Sequence, residues 1–226
     1  MRKLEILDLG CADWFHAFEF QRQLMARRLE GEVADTLIFV EHPHVVTMGR
    51  NGKEENLLAS PQVLSRSGIA YYETNRGGDV TYHGPGQIVG YPIFDLREWK
   101  RDVRAYVRSV EESLIRVLGK YQVDANREPG MTGVWVSGAK VAAIGIHISR
   151  WITSHGFALN HTPDLSYFRY IVPCGLTLPV TSMEALGIKA SRDAVLEEIV
   201  SAFSEVFEFD SVQRIAPSGI KREKPR

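Results

Sequence analysis

Cysteine is scarce in this chain: Cys11 and Cys174 are the only two among 226 residues. Two thiols build no disulfide framework, which fits a reducing, cytoplasmic setting, although a single bridge between them stays open from sequence. An excess of one charge is also missing. The formal net charge is −1, so no global basic field points to nucleic acid or to an anionic membrane. Only Lys221–Arg226 is locally basic, and a flexible tail over 217–226 is expected there. No apolar run approaches the ~18 residues that would span a bilayer. The N-terminal Met1–Leu9 alternates like a strand and carries Glu5 and Asp8, unlike a signal or transit peptide. Internal repeats, low-complexity segments and a convincing linker are absent too, so a single domain over 1–226 is expected. The seven histidines show neither helical i, i+4 pairing nor a cysteine–histidine ligand spacing, and no metal site is expected.

What the chain does contain is a clear helical signal in three places. Asp13 can cap a helix running to about Glu30, with Trp14, Phe18, Met25 and Leu29 near one face. Asp102 precedes the 3.6-period stripe Val103, Tyr106, Val107, Val110, Leu114, Val117, Leu118 and Tyr121. Ser191 can cap a helix over about 192–208 in which Val195, Ile199, Phe203, Val206 and Phe207 share a face. A shorter helix is expected after Ser60, with Pro61 in its first turn. Strand-like runs occur at Leu4–Leu9, Thr36–Glu41, Val45–Met48, Ile69–Thr74, Ile88–Phe94, Val134–Val136, Val141–Ser149 and Ser154–Leu159. They are mostly hairpin-spaced, which argues for an α+β fold with a central mixed, mostly antiparallel sheet flanked by helices. The third helix and the tail are also compatible with a small C-terminal lobe.

The stretch Arg76-Gly77-Gly78-Asp79-Val80-Thr81-Tyr82-His83-Gly84-Pro85-Gly86-Gln87 is the most distinctive. Its four glycines let another chain or a ligand approach the backbone closely, and Arg76 suggests that the visitor is polar or anionic. The plain alternative is an elaborate turn. Cys174 follows Pro173 and precedes Gly175, a setting for a partly exposed thiol. It reads as an acyl-accepting nucleophile if a cation or helix N-terminus makes it a thiolate, and otherwise as a structural cysteine. Lys140 opens a strand. In a regular strand it shares a face with Ala142, Ile144, Ile146 and Ile148, where desolvation favours a neutral, proton-accepting amine. A bulge near Ser137-Gly138-Ala139 would turn it elsewhere, and a solvated strand-end lysine is the third option. His83 and His155, next to Gly84 and Gly156, read as hydrogen-bonding members of a pocket wall.

Taken in order, five blocks resemble the successive motifs of one family. They are Arg76–Gln87 with Ile88-Val89-Gly90-Tyr91-Pro92-Ile93, then Gly133-Val134-Trp135-Val136, then Lys140-Val141-Ala142-Ala143-Ile144-Gly145, then His155-Gly156-Phe157-Ala158-Leu159-Asn160, then Pro173-Cys174-Gly175. Glu41-His42-Pro43 and Thr47-Met48-Gly49-Arg50 fit the same pattern, which covers about residues 35–187. The family is that of the octanoyl-carrier-protein:protein N-octanoyltransferases, or lipoate-protein ligase B. His44 departs from it, standing where a second proline or a small residue is expected.

The resemblance implies the fold of the biotin and lipoate protein ligases. It also implies a reaction in lipoate biosynthesis, the transfer of octanoate from a phosphopantetheine thioester on acyl carrier protein to a lysine of a lipoyl domain. Such acceptors are the E2 subunits of 2-oxoacid dehydrogenases and the H protein of glycine cleavage. It places the acyl-accepting thiol at Cys174 and its partner amine at Lys140. Substrate-contacting segments fall on Arg76, Gly77, Gly78, Asp79, Val80, Thr81, Tyr82 and His83, on Ala143, Ile144 and Gly145, and on Gly156, Phe157 and Ala158. Because thioester to amide is downhill, no ATP or other cofactor is expected, and a monomer is the default. Backbone N–H groups near Gly77, Gly78 and Cys174 are candidates for an oxyanion site. Two rivals remain at this stage. One is an ATP-dependent ligase of the same fold, which needs no cysteine–lysine pair; the other is a carrier-protein binder without turnover.

Overall fold

A computed structural model describes residues 1–172 and 179–216, so Cys174 with its neighbours and the basic tail lie outside the described residues. Along the chain the elements are β1 (Lys3–Cys11), α1 (Trp14–Leu29), β2 (Asp35–Glu41), β3 (Val45–Met48), α2 (Pro61–Arg66), β4 (Ala70–Glu73), β5 (Val80–His83) and β6 (Gln87–Ile93). They continue with α3 (Val103–Lys120), β7 (Val134–Val136), β8 (Ala139–Ser149), β9 (Ile152–Asn160), α4 (Arg192–Val206) and β10 (Ser211–Ile215). Every one of these helices starts at the cap expected from sequence. Side-chain oxygens of Asp13, Ser60, Asp102 and Ser191 accept N–H groups that the first turn would otherwise leave unpaired.

Seven strands form the main sheet in the order β10-β1-β2-β6-β9-β8-β7. Its first three strands run parallel and the remainder antiparallel. A second sheet, β4-β3-β5, stands beside it. The α+β class with a mixed sheet is thus the observed one. On one face of the large sheet, Leu37, Phe39, Ile88, Phe157 and Leu159 pack against Tyr106, Val110 and Leu114 of α3 and Val195, Ile199 and Phe203 of α4. On the other, Ile38, Val40, Val89, Tyr91 and Ala158 pack against Ala17 and Leu24 of α1. The small sheet closes its own core with Val46, Val80, Tyr82, Leu64 of α2 and Ile171. Among the described residues no helix is long and apolar enough to cross a membrane.

Two expectations need correction, and one strand was not expected. The glycine-rich stretch is not a loop throughout, because Val80–His83 is a strand paired antiparallel with β3. After α4 comes a strand that no run in the sequence announced. Ser211–Ile215 pairs in parallel with β1, which joins it to the main sheet; its residues are mostly exposed, so no period-2 burial marks it. The buried stripe of α1 runs through Trp14, Ala17, Gln21, Leu24 and Arg28, offset from the Phe18–Met25–Leu29 line. Arg28 is tolerated there because its Nε donates to Asp35 at 2.8 Å.

Candidate functional site

The α1 face of the sheet is incomplete near β8, and the gap is a cleft. Along two consecutive cleft-facing rungs the paired residues are small: Ala143 opposite Ala158, then Gly145 opposite Gly156. Intervening Ile144 and Phe157 turn to the opposite core. Close strand approach needs glycine here. A Cβ on Gly156 would strike the carbonyl of Gly90 on β6, and one on Gly90 would strike the Phe157 ring. The result is a cleft whose empty volume, with its open mouth, is about 540 Å³. Trp14, Val89, Tyr91 and His155 line it together with Arg76, Gly78, Asp79, Val80, Thr81, His83, Lys140, Ala143, Ile144, Gly145, Gly156, Phe157 and Ala158.

Most residues expected at the site therefore converge. Tyr82 is set apart, on a second, smaller cavity that it shares with Gln87, Asn160, Phe168, Val180 and Lys140. Gly77 lies against β8, where its N–H donates to Ile146 O at 2.7 Å. That donor is engaged, so it does not serve an oxyanion. Arg76, expected to meet an anionic group, donates from Nη2 to Thr47 O (2.7 Å) and Oγ1 (3.0 Å), and from Nη1 to Gly77 O (3.1 Å). Its guanidinium stitches β3 to the glycine turn while it lines the cleft.

Lys140 sits where the two cavities meet. The pairing of β7 with β8 slips by one residue between Val134↔Ala142 and Trp135↔Lys140. Both Val141 and Ala142 consequently enter the α3/α4 core. The slip takes Lys140 off the Ala142–Ile144–Ile146–Ile148 face that regular alternation gives and onto the cleft. There its Nζ stands 4.6 Å over the buried ring of Trp135. Gly133, at φ 135°, leaves room beside the Lys140 stem, since a Cβ would lie 3.3 Å from its Cε. The N–H of Gly133 is held by Glu111 of α3 at 3.1 Å.

The chain on either side of residues 173–178 is anchored to this same site. Lys140 N donates to Pro179 O and Thr181 N donates to Lys140 O, both at 2.9 Å. Val172 N donates to Asn56 O at 2.8 Å. Asn56 in turn hydrogen-bonds Asp79 of the cleft wall through its side-chain amide. Asn160 adds a bond to Thr181 O at 2.9 Å, and Gln87 orients Asn160 at 3.0 Å.

Three buried histidines are kept neutral. Burial, with Arg76 and His42 nearby, pushes His83 down to about 3; burial and Arg76 do the same to His155; burial brings His42 to about 4. Gln87 uses its amide N–H groups on Tyr82 O and Asn160, so its Oε1 accepts from Nδ1 of His83 at 3.1 Å. This leaves Nε2 of His83 as the acceptor nitrogen. His42 donates from Nδ1 to Ala12 O and accepts from the Tyr91 hydroxyl at 2.8 Å. His44, out of pattern in sequence, has a packing role: it stacks on Tyr167 at 4.2 Å and bonds the Tyr82 hydroxyl. Among the described residues no group of three or more His, Cys, Asp or Glu is arranged to hold a metal.

The family model of the lipoyl protein ligase A/B catalytic domain matches residues 13–204. The chain belongs to that family. An octanoyltransferase of Solibacter usitatus is 60% identical over 93% of this chain and 96% of its own length. One from Koribacter versatilis is 48% identical, covering 91% and 83%. With octanoyltransferases as its near relatives, this family member is an acyltransferase. A bipartite lipoate protein ligase of Thermoplasma acidophilum, solved with its E2 lipoyl domain, superposes with a TM-score of 0.78 at 16% identity, covering 97% of this chain and 89% of that one. At that identity the likeness speaks for the shared fold. Sequence reasoning missed Trp14, Val89 and Tyr91 as cleft residues and Gln21 and Asn75 as the supports of His155. Trp14, Gln21 and Asn75 stand in no motif, and Val89 and Tyr91 stand in one without an assigned contact; the fold brings them in from α1, β6 and the turn after β4.

Proposed function

We propose that this family member transfers an octanoyl group from acyl carrier protein to a lysine of lipoyl domains through a thioester on Cys174. The sulfur of Cys174, its proton taken by Lys140, attacks the donor thioester carbonyl, and the pantetheine thiol leaves with that proton. The acceptor amine then attacks the acyl-enzyme, the C–S bond breaks, and the proton lost by the amine returns through Lys140 to Cys174. Gly78, on the cleft wall, remains a candidate for stabilising the oxyanion through its backbone N–H.

The observation that carries this reading is the bracketing of the Cys174 segment. Val172 on one side is tied to Asn56 and Asp79, and Pro179 and Thr181 on the other are tied to Lys140. A cleft narrowed to glycine and alanine beside Lys140 suits an unbranched acyl chain. Each methylene buried there favours binding by about 0.8 kcal/mol. The reaction needs no ATP and no metal, and the protein acts as a monomer in the cytoplasm with acyl carrier protein and lipoyl domains as transient partners. The test is transfer from octanoyl-carrier protein to an apo lipoyl domain in nucleotide-free buffer. Wild type should transfer and Cys174→Ala should not. A Cys174→Ala protein that transfers, or a strict ATP requirement, would return the ligase reading.

A further inference from the structure

The small-residue groove is a ruler with a fixed stop. We infer that Trp14, wedged with His155 and Tyr91 at the end of the groove remote from Lys140, sets the length of the acyl chain the enzyme accepts. This rests on the octanoyl-transfer reading above. Lys140 opens β8, and the cleft-facing rungs that follow it are Ala143–Ala158 and Gly145–Gly156. Those two rungs are roughly 7 Å apart, a distance an extended alkyl chain covers in about five or six C–C bonds. The Lys140 stem runs along β8 toward the first of them, since one point beside Gly133 lies 3.3 Å from Lys140 Cε and 2.7 Å from Ala142 O. A chain whose carbonyl lies by Nζ therefore starts near that rung and reaches the glycine rung with its last carbons. The next residue of β9 beyond that rung is His155.

His155 is held in the groove against its local preference. Its β8 partner, Ile146, packs on the α3/α4 side, and regular alternation would send His155 there too. Instead His155 has φ 54°, a left-handed conformation uncommon for histidine inside a strand. Its ring then stacks on Phe18 at 5.4 Å and Trp14 at 6.5 Å and meets Tyr91 edge-on. Such strain persists only where the surroundings over-determine it. Here Gln21 Oε1 takes the His155 backbone N–H at 2.9 Å and Asn75 Oδ1 pairs with Nε2 at 2.8 Å. Trp14 is equally fixed, stacked on Phe18 and on Tyr72 at about 5 Å from each. A rigid, buried aromatic wall stops an alkyl chain where a flexible aliphatic one would yield.

The experiment compares kcat/KM for carrier protein loaded with hexanoyl, octanoyl, decanoyl and dodecanoyl chains. Wild type should fall sharply between octanoyl and decanoyl. Trp14→Ala should raise the decanoyl-to-octanoyl ratio about tenfold, the yield of two further buried methylenes. Trp14→Leu, which keeps an apolar residue at the helix start, should raise it by less, and Trp14→Phe should leave it close to wild type. A wild type indifferent to chain length, or folded Trp14→Ala and Trp14→Leu proteins with unchanged ratios, overturns the ruler while octanoyl transfer stands. Absence of transfer with every chain by wild type overturns the octanoyl reading and the ruler with it.

Discussion

At the β6–β9–β8 rungs the two faces of the large sheet can be compared residue by residue. Toward α3 and α4 stand Ile88, Leu159, Phe157 and Ile144, continued by Phe203 and Phe207 in a dry aromatic layer. Toward α1, alternate positions of the same strands carry Ala158, Gly156, Ala143 and Gly145, and the histidines gather beside them. Identical backbone pairing thus makes a packed core on one side and a slot on the other. The difference lies only in side-chain volume and in where the covering helix ends. Sheet alternation makes such division of labour possible, and small residues on one face turn it into a binding surface.

Substitutions should divide along the same line. The largest effect is expected at Lys140. Lys140→Ala should slow acylation by about 10² to 10⁴, read by stopped assay, with a melting temperature close to wild type. A variant that keeps full rate would remove the amine from the mechanism. On the dry face, Phe203→Ala should cost about 3–5 kcal/mol of stability in denaturant titration, while the folded fraction keeps its kcat/KM. Ala143→Leu is its mirror: the slot fills, kcat/KM for the octanoyl donor falls about 10- to 100-fold, and stability barely changes. Gly90→Ala should blur the contrast, because its Cβ enters the Phe157 ring on the rung behind the slot. A loss of about 1–3 kcal/mol should accompany weaker acyl binding.

The last prediction concerns the pH dependence of stability. His42, His83 and His155 all have folded values below 6.5, so between about 3 and 6.5 the unfolded chain binds more protons than the native one. Stability must then rise with pH through that window and be lost as pH falls below 6.5, by up to about 1.4 kcal/mol per histidine per unit. Melting at pH 7 and pH 5 should show this. His155→Asn, which tolerates the left-handed backbone, should flatten the slope, whereas Phe203→Ala should lower both melts equally.

How much of this was legible beforehand follows from the range of the signals. Helix starts could be read because Asp13, Ser60, Asp102 and Ser191 act within three residues of themselves. The site motifs could be read because glycine and alanine were dense around one arginine and one lysine. What escaped was non-local. Val80–His83 hid as a strand among glycines, since its partner β3 lies some 30 positions earlier. The facing of Lys140 depended on a one-residue slip against β7 that alternation alone does not set. Gln21 gave no signal of its own, because the His155 N–H that it accepts lies 134 positions away.

The account turns on whether the acyl group rests on Cys174. Mixing the enzyme with octanoyl-carrier protein, quenching at successive times and weighing the intact chain tests this directly. The account predicts one octanoyl group on wild type, formed at least as fast as turnover, absent from Cys174→Ala and slow to form in Lys140→Ala. Steady transfer to the lipoyl domain with no acylated enzyme at any time point would contradict it.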